Sequence, residues 1–358
     1  MDKYRMEGHK LWWHLDRVES WVKGERIVPL HMDIGISKGC DIACVYCYGA
    51  LQGRIGPSGF NIPKEPLLRF LRDAAELGVK AISITGEAEP TMNPAVYDAV
   101  VEGNRCGLSM GLATWGGRLG EERIPDLANN LVWIRFNISA GDENSYRKIH
   151  KTREDNFNKV VKNIEAFVKI RKQDNLPLTV GLQMVTMPWY AEEAKKLAKL
   201  GRDLGVDYLE IKHCSDNFQG DLGVKHDDYQ KVVDQLKEAE EYATDTFDVV
   251  VRWSKILKGR ERDYDVCYCA GNFMLRMSGN GTIYPCAQFF DWRSEEFAIG
   301  NIIEESFKDI FYSDRYLEAV KRIQNLNVHE ECYSGCKENA INESLWMIKH
   351  PPLHTNFI

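Results

Sequence analysis

Three cysteines fall within eight residues near the start of the chain, directly after an apolar run. Cys40, Cys44 and Cys47 lie in the segment KGCDIACVYCY, and residues 29–36 form the apolar run. Soft thiolate ligands select centres such as iron-sulfur clusters, and three thiolates leave one corner of a four-iron cluster without a protein ligand. The bacterial ferredoxin spacing is tighter, and a fully ligated cluster only transfers electrons. The spacing therefore indicates a cluster at which chemistry takes place.

A zinc knuckle or a disulfide staple is the alternative interpretation of these three cysteines. A zinc site usually pairs two C-x2-C knuckles. The chain has 10 cysteines and begins MDKYRMEGHK, which is charged and lacks the apolar core of a signal peptide. We therefore expect a cytoplasmic enzyme with reduced cysteines. No apolar run reaches the roughly 18 residues of a membrane span, and the net charge of -7 argues against a nucleic-acid partner.

Hydrophobic periodicity predicts an alternation of short strands and longer amphipathic helices. The predicted strands are residues 31–35, 79–85, 108–114, 132–139, 178–185 and 208–213, and the clearest predicted helices are residues 63–77, 156–172 and 191–204. Gly205 is a plausible stop for the last of these helices. Six β-α repeats imply a parallel sheet, whose ligands bind at the carboxyl ends of the strands.

The spacing C-x3-C-x2-C, with the aromatic Tyr46 before the last cysteine, resembles the motif of the radical S-adenosylmethionine (SAM) superfamily. In that family SAM chelates the fourth iron, and its reductive cleavage gives a 5'-deoxyadenosyl radical that abstracts a hydrogen atom. The resemblance implies a partial (β/α)6 TIM-like barrel within an α/β fold, with the cluster loop after the first strand. It also implies SAM, a SAM-binding 4Fe-4S cluster on the three cysteines, and a flavodoxin or ferredoxin-type reductant.

The second predicted strand ends in ISITGEAEPT, residues 82–91, whose position resembles the GGEP motif of the family. The resemblance implies that Gly86 lets the backbone approach SAM and that Glu89 binds the amino group of SAM. Ala88 departs from the glycine usual in the family, so Glu87 remains an alternative carboxylate. A strand-to-helix turn with solvated acids is the alternative to both.

Other cofactor-binding residues are assigned by position in the same family. Tyr46 in the cysteine loop, Thr114 in ATWGG and Ser139 in FNISAG lie where the family contacts SAM, and the last two end the third and fourth predicted strands. Arg153 in KTREDNF resembles the arginine that pairs with the SAM carboxylate through its planar fork. A capping serine and a surface arginine are the alternatives for Ser139 and Arg153.

The C-terminal third holds five more cysteines, Cys267, Cys269, Cys286, Cys332 and Cys336, and a glycine stands five residues before Cys286 in MSGNGTIYPC. This pattern, with the GNI turn that opens residues 300–311, resembles the SPASM/twitch extension of radical SAM enzymes. A full SPASM domain has more cysteines and a second auxiliary cluster. The resemblance therefore implies one auxiliary 4Fe-4S cluster on Cys286, Cys332, Cys336 and either Cys267 or Cys269, and a zinc site is the alternative.

The resemblance covers about residues 34–336 and sets the expected domains. These are an N-terminal docking segment (1–30), the radical SAM barrel (31–255), the auxiliary-cluster domain (256–345) and a tail (346–358). In the docking segment Leu15, Val18 and Trp21 recur at helical spacing, which predicts a helix that packs on the barrel.

The expected substrate is a small polar molecule such as a sugar, nucleotide-sugar or aminocyclitol. The residues ahead of the first strand are too few for the peptide-binding module of many peptide-modifying members, and residues 15–30 weakly resemble radical SAM proteins of sugar pathways. Four functions remain open: a dehydrogenase that passes the second electron to the auxiliary cluster, an epimerase, a peptide or protein maturase, and remotely a non-catalytic iron-sulfur protein.

The sixth predicted strand ends in EIKHCSDN, which offers the candidate catalytic residues Lys212, His213 and Cys214. Strand alternation turns Lys212 and Cys214 to one face and His213 to the other. Lys212 or His213 is expected to hold or deprotonate a substrate hydroxyl, and Cys214 would be the hydrogen-atom donor of an epimerase. A small buried hydrophobe is the alternative for Cys214. Because five auxiliary cysteines are a stronger signal than one cysteine, we expect oxidation.

Overall fold

The computed structural model describes residues 8–47, 59–153, 155–214, 222–253, 256, 261–332 and 336–357. The strands are β1 (His31–Ile34), β2 (Ala81–Ile84), β3 (Ser109–Thr114), β4 (Trp133–Asn137), β5 (Thr179–Thr186), β6 (Tyr208–His213), β7 (Asp248–Val251), β8 (Met274–Met277), β9 (Thr282–Tyr284) and β10 (Gly300–Asn301). The described α-helices are α1 (Leu15–Val22), α2 (Lys64–Leu77), α3 (Val96–Arg105), α4 (Ile124–Asn130), α5 (Glu143–His150), α6 (Asn156–Gln173), α7 (Glu193–Leu204), α8 (Val233–Glu240), α9 (Ser294–Phe297), α10 (Phe307–Tyr312), α11 (Asp314–Gln324), α12 (Val328–Glu331) and α13 (Asn339–Lys349).

One mixed sheet organises the described chain, with the strand order β10-β9-β8-β1-β2-β3-β4-β5-β6-β7. All neighbours from β8 through β1 to β7 are parallel, and only β9 pairs antiparallel with β8 and β10. Parallel neighbours need long crossover connections, which the helices supply. The predicted α/β fold with a partial barrel is confirmed, and each of the predicted strands is present with shifts of a few residues at most.

The sheet extends further than the sequence pattern indicated. β7 adds a further parallel strand beside β6, and β8 pairs with β1 in parallel, so the C-terminal region continues the barrel sheet. This junction depends on close backbone approach. A Cβ on Gly35 would lie 2.7 Å from the nitrogen of Gly279, and a Cβ on Gly279 would lie 2.0 Å from the oxygen of Ser37. Any larger residue at either position would force the two segments apart.

The two faces of the sheet differ in chemistry. The outward row is apolar and fully buried against the helices, and includes Met32, Ile34, Ile82, Ile84, Leu112, Ile134, Phe136, Leu182, Leu209 and Ile211. The inward row is polar, and includes Asp33, Ser83, Arg135, Asn137, Gln183, Glu210, Lys212 and Arg276. Parallel strands that are buried on both faces usually carry near-continuous apolar runs. The polar inner row therefore lines the space inside the barrel.

The helices begin and end close to the predicted residues. α7 ends at Gly205, which has a φ of 73° and donates its N–H to the carbonyls of Arg202 and Gly201, as predicted for a glycine stop. The N-terminal helix α1 also forms, and its buried side chains pack in an apolar cluster with the C-terminal region. Arg17 of α1 also donates to the carbonyl of Gly78 at the end of α2, at 3.3 Å. Trp21 meets the ring of Phe273 edge-on, whereas Leu15 is 63% exposed, so Leu15 lies outside the docking face. No helix in the described ranges is long and apolar enough to cross a membrane.

Candidate active site

The cysteine loop follows β1 and docks on the end of α5. The N–H of Val45 donates to the carbonyl of Ile149 at 2.9 Å, and the N–H of Ala43 donates to the carbonyl of His150 at 3.3 Å. Burial raises the pKa of Cys40 to about 12, and raises that of Cys44 further. Buried thiols of this kind become thiolates when a cationic centre binds them. A set of soft sulfur donors on one short loop fits an iron-sulfur cluster.

Glu89 lies at the carboxyl edge between β2 and β3, where it joins the two following loops. Its Oε1 accepts hydrogen bonds from the hydroxyls of Thr91 and Thr114, both at 2.6 Å, and its Oε2 accepts the N–H of Trp115 at 3.0 Å. Burial raises the pKa of Glu89, and the hydrogen bonds oppose that rise. The structure thus brings Glu89 and Thr114 together. A carboxylate has about four acceptor sites, so Oε2 retains capacity for an ammonium group.

Glu87, the alternative carboxylate, faces a different part of the molecule. It pairs with Lys38 and accepts the hydroxyl of Ser278 at 2.7 Å and the N–H of Gly279 at 3.3 Å. Its oxygens therefore tie the loop after β2 to the turn after β8. Because the oxygens of Glu87 already hold these two segments together, Glu89 is the better candidate for binding SAM.

Gly86 has a backbone conformation that suits glycine. Its φ is 49°, and a Cβ there would lie 3.0 Å from the carbonyl oxygen of Ala88. Its N–H donates to the carbonyl of Ile34 at the end of β1. The tight turn keeps the loop after β2 against the end of β1, and the approach of SAM to Gly86 stays a prediction.

Three further predicted SAM residues have other surroundings. Tyr46 is half-buried and hydrogen-bonded to Cys44 and Ser139, and burial raises its pKa well above the usual value. Ser139 is fully buried, and its hydroxyl accepts the N–H of Val185 at 3.1 Å. Arg153 is exposed. Ser139 therefore lies beneath the cysteine loop, to which Tyr46 belongs, and the SAM contacts of all three residues stay predictions.

His150 is a residue of this site that the sequence did not reveal. Its Nδ1 lies 3.2 Å from Sγ of Cys44, and its Nε2 accepts the backbone N–H of Ser139 at 2.9 Å. The side chain is fully buried, and burial lowers its pKa to about 3. Its position at the end of an amphipathic helix carries no sequence signal, because the contact with Cys44 spans 106 residues of chain.

The C-terminal cysteines gather in one region. The thiols of Cys267, Cys286 and Cys336 each influence the pKa of another, and Cys332 is hydrogen-bonded to Cys336. Burial raises the pKa of Cys267 to about 12 and that of Cys286 to about 11. Among the described residues, no group of three or more His, Cys, Asp or Glu side chains is placed to hold a single metal ion. A set of soft thiols again fits an iron-sulfur cluster, whose irons each take their own thiolate.

Cys267 and Cys269 differ in their surroundings. Cys269 is fully buried in an apolar cluster with Trp21, Phe273 and Leu345. Cys267 instead packs beside Cys286 and is 3.5 Å from the side-chain nitrogen of Asn342. Both residues were candidates for the fourth auxiliary ligand, and these contacts favour Cys267.

The barrel interior carries buried ion pairs. Glu210 on β6 accepts a hydrogen bond from Arg135 on β4 at 2.9 Å and pairs with Arg252, which follows β7. Burial would raise the pKa of Glu210, but these arginines and Lys212 lower it to about 2. Lys212 therefore lies on the inner face beside Glu210, as strand alternation predicted.

A second group of charges connects the barrel with the auxiliary cysteines. Sγ of Cys336 is 3.3 Å from Oε2 of Glu338, which pairs through its other oxygen with Arg276 on β8. Arg276 and Lys337 both pair with Asp33 on β1, at 3.6 and 2.7 Å. Although burial opposes it, Lys337 and Arg276 hold the pKa of Asp33 well below its usual range. The auxiliary cysteines thus border the inner face of the barrel.

The remaining candidate catalytic residues are His213 and Cys214, and His213 faces away from the barrel interior. His213 pairs in register with Thr186 on the outward row and meets the ring of Tyr229 edge-on, so it lies away from any substrate in the barrel. Cys214 is 2% exposed, and its Sγ is 3.7 Å from the carbonyl oxygen of Tyr46. Of the two residues proposed to act on a substrate hydroxyl, only Lys212 has a suitable position.

Comparison with known proteins agrees with this arrangement. A family model of the radical SAM superfamily matches residues 34–200, and a model of the SPASM iron-sulfur cluster-binding domain matches residues 267–337. The tungsten-containing aldehyde ferredoxin oxidoreductase cofactor-modifying protein of Pyrococcus furiosus is 22% identical over 304 residues, which cover 80% of this chain and 82% of that protein. A probable GTP 3',8-cyclase of Methanosarcina mazei is 24% identical, with 75% and 80% covered.

Solved structures share the fold. SuiB of Streptococcus suis bound to SAM has a TM-score of 0.66 at 16% identity, and the match covers 94% of this chain and 80% of SuiB. The enzyme anSMEcpe with bound SAM has a TM-score of 0.59 at 19% identity, with 88% of each chain covered. SAM and 4Fe-4S clusters are the cofactors of these domains. The chain belongs to the radical SAM superfamily and carries a C-terminal SPASM iron-sulfur domain.

Proposed function

We propose that this protein is a radical SAM oxidoreductase that oxidises a small, polar, negatively charged substrate such as a nucleotide-sugar. The contacts from Cys336 through Glu338 and Arg276 to Asp33 carry this proposal, because they place the auxiliary cysteines beside the barrel interior. SAM supplies the radical that removes one hydrogen atom from a carbinol carbon. When bound, the auxiliary cluster would accept one electron and the hydroxyl proton would leave to a base, so that the substrate would lose two hydrogens in all.

The charges of the interior support a negatively charged substrate. Several cations lie on or beside the inner row, namely Arg135, Lys212, Arg252, Arg276 and Lys337, together with the carboxylates Asp33, Glu210 and Glu338. His31 adds no charge near neutral pH, because burial lowers its pKa to about 4. A phosphate or carboxylate is attracted by cations of this kind, whereas an aminocyclitol carries the same sign of charge as they do.

Arg135 offers a specific contact for such a group. Its Nε is buried and has no hydrogen-bond partner among the described residues, although its Nη1 donates to Glu210. A buried donor without a partner costs about 1–3 kcal/mol, and an anionic oxygen would remove that cost. The Methanosarcina mazei relative is a probable GTP 3',8-cyclase, and GTP is also a phosphate-bearing small molecule.

The position of Cys214 supports oxidation over epimerisation. An epimerase needs a thiol that delivers a hydrogen atom to the substrate radical from the face opposite to abstraction. The Cys214 thiol is buried and directed at the carbonyl of Tyr46 in the cysteine loop. Lys212, on the inner face, is the residue proposed to hold the substrate hydroxyl.

The test measures 5'-deoxyadenosine and product mass with a panel of substrates under anaerobic, reducing conditions. Nucleotide-sugars should increase 5'-deoxyadenosine formation and give a product two hydrogens lighter, while an aminocyclitol and a short peptide should not. Cys44→Ala should abolish SAM cleavage, and Cys214→Ala should retain product. Stimulation by the peptide alone would contradict the substrate class. An isomer of unchanged mass that carries solvent deuterium and disappears in Cys214→Ala would establish the epimerase instead.

A further inference from the structure

His150 lies beneath the cysteine loop, between a cluster cysteine and the end of β4. Its Nδ1 is 3.2 Å from Sγ of Cys44, and its Nε2 accepts the backbone N–H of Ser139 at 2.9 Å. The contact between Nδ1 and the thiol is direct, and the imidazole is fully buried. The radical SAM family match spans residues 34–200, which include both the cysteine loop and this imidazole.

The contact with Ser139 fixes the tautomer of His150. A protonated imidazole has two N–H donors and no acceptor, and a neutral one has one of each. Since Nε2 accepts a backbone N–H, the ring is neutral and its proton lies on Nδ1. The N–H that remains therefore points at the sulfur of Cys44.

Neighbouring groups hold the imidazole in one orientation. Tyr146 stacks on it with ring centroids 4.2 Å apart, and Tyr46 meets it edge-on at 5.7 Å. Backbone N–H groups of the cysteine loop donate hydrogen bonds to the carbonyls of Ile149 and of His150 itself. Loop, helix end and ring therefore form one unit, in which the donor cannot turn away without breaking several contacts.

We infer that His150 is a positioning residue of the SAM-binding cluster, which donates its Nδ1–H to the thiolate of Cys44 and thereby raises the reduction potential of that cluster. A hydrogen bond to a ligating sulfur withdraws negative charge, and that charge increases when the cluster is reduced. The reduced cluster gains more from the bond than the oxidised one. This inference rests on the cluster and not on the proposed substrate.

Two amide variants each keep one of the two hydrogen bonds of His150 and remove the other. In His150→Asn the amide nitrogen can occupy the place of Nδ1 and donate to Cys44, while the acceptor for Ser139 is lost. In His150→Gln the amide oxygen can occupy the place of Nε2 and accept from Ser139, while the donor to Cys44 is lost. His150→Phe loses both bonds and keeps the ring volume.

The measurement is an anaerobic redox titration of the full-length, iron-loaded protein, followed by electron paramagnetic resonance. The signal that changes on SAM addition identifies the SAM-binding cluster, and iron analysis checks that each variant is loaded. His150→Gln and His150→Phe should disfavour reduction about tenfold, a shift of about 59 mV for a one-electron couple, and His150→Asn should stay near the wild-type potential. Equal potentials in all four proteins, or equal shifts in the Asn and Gln variants, would overturn the inference. The Asn and Gln pair decides the matter even where the Phe variant fails to load iron.

Discussion

The side-chain nitrogen of Asn342 lies 3.5 Å from Sγ of Cys267, and the amide oxygen of Asn342 accepts the backbone N–H groups of Tyr268 and Cys269, each at 2.8 Å. Because two donors hold the oxygen, the amide cannot flip, and its N–H is directed at the thiol. Donors of this kind typically surround sulfurs that bind iron. Cys269, two residues further on, instead packs among apolar side chains.

We therefore predict that Cys267, and not Cys269, is the fourth ligand of the auxiliary cluster. Cys267→Ala should lose about half of the protein iron, as should Cys286→Ala, because each removes a ligand from one of two four-iron clusters. Cys269→Ala is the matched control and should keep its iron. Metal analysis of the purified proteins decides the outcome. Zinc in place of the auxiliary iron would refute the cluster itself, and iron loss in Cys269→Ala alone would reverse the assignment.

The sequence predicted the parts of this structure that depend on local pattern. The strands and the cysteine loop were found because apolar periodicity and the spacing of Cys40 to Cys47 are readable within a few residues. The two-residue strand β10 was not predicted, since so short an element carries no periodicity. The sequence did not predict the polar partners of the site, for a different reason. Arg276 and Glu338 are separated by 62 residues, and only the folded chain brings them together.

The two glutamates after β2 give a second prediction. Glu89→Gln should weaken SAM binding by tenfold or more, because a hydrogen bond to a charged group contributes about 1.5–3 kcal/mol and about 1.4 kcal/mol is tenfold in affinity. The new amide would also face the hydroxyl donors of Thr91 and Thr114. Glu87→Gln, the matched control, should bind SAM nearly as wild type. Anaerobic calorimetry with SAM measures both, and the opposite order would identify Glu87 as the SAM ligand.

The pair of Arg276 and Glu338 leads to a third prediction. Arg276 neutralises a carboxylate that lies 3.3 Å from Sγ of Cys336. In Arg276→Met that carboxylate would oppose the negative charge of the thiolate, so the auxiliary cluster should be lost more readily to a chelator than in wild type. The double variant Arg276→Met/Glu338→Met removes both charges and should restore much of the resistance. Iron release followed by absorbance tests this, and equal release from the single and double variants would contradict it.

Glu210 provides a prediction of pH dependence. Its pKa falls from 4.5 in the unfolded chain to about 2 in the folded protein, because Arg135 and Arg252 outweigh the effect of burial. A depressed carboxyl pKa stabilises the fold fully above the unfolded value, and this stabilisation is lost as the pH falls from about 4.5 towards 2. The shift corresponds to about 3 kcal/mol. Glu210→Gln should therefore lower the free energy of unfolding by about that amount at pH 7, and by progressively less below pH 4.5.

A surface glutamate with a similar pKa makes the control for that measurement. The pKa of Glu102 is also lowered to about 2, mainly by Arg105, but that arginine is 65% exposed and solvent screens the pair. Glu102→Gln should consequently cost at most about 1 kcal/mol at pH 7. Urea unfolding of the metal-free proteins at pH 7 and pH 3.5 compares the variants without interference from acid loss of iron. Equal effects of the two substitutions at pH 7 would mean that water reaches the ion pairs inside the barrel as freely as it reaches the surface.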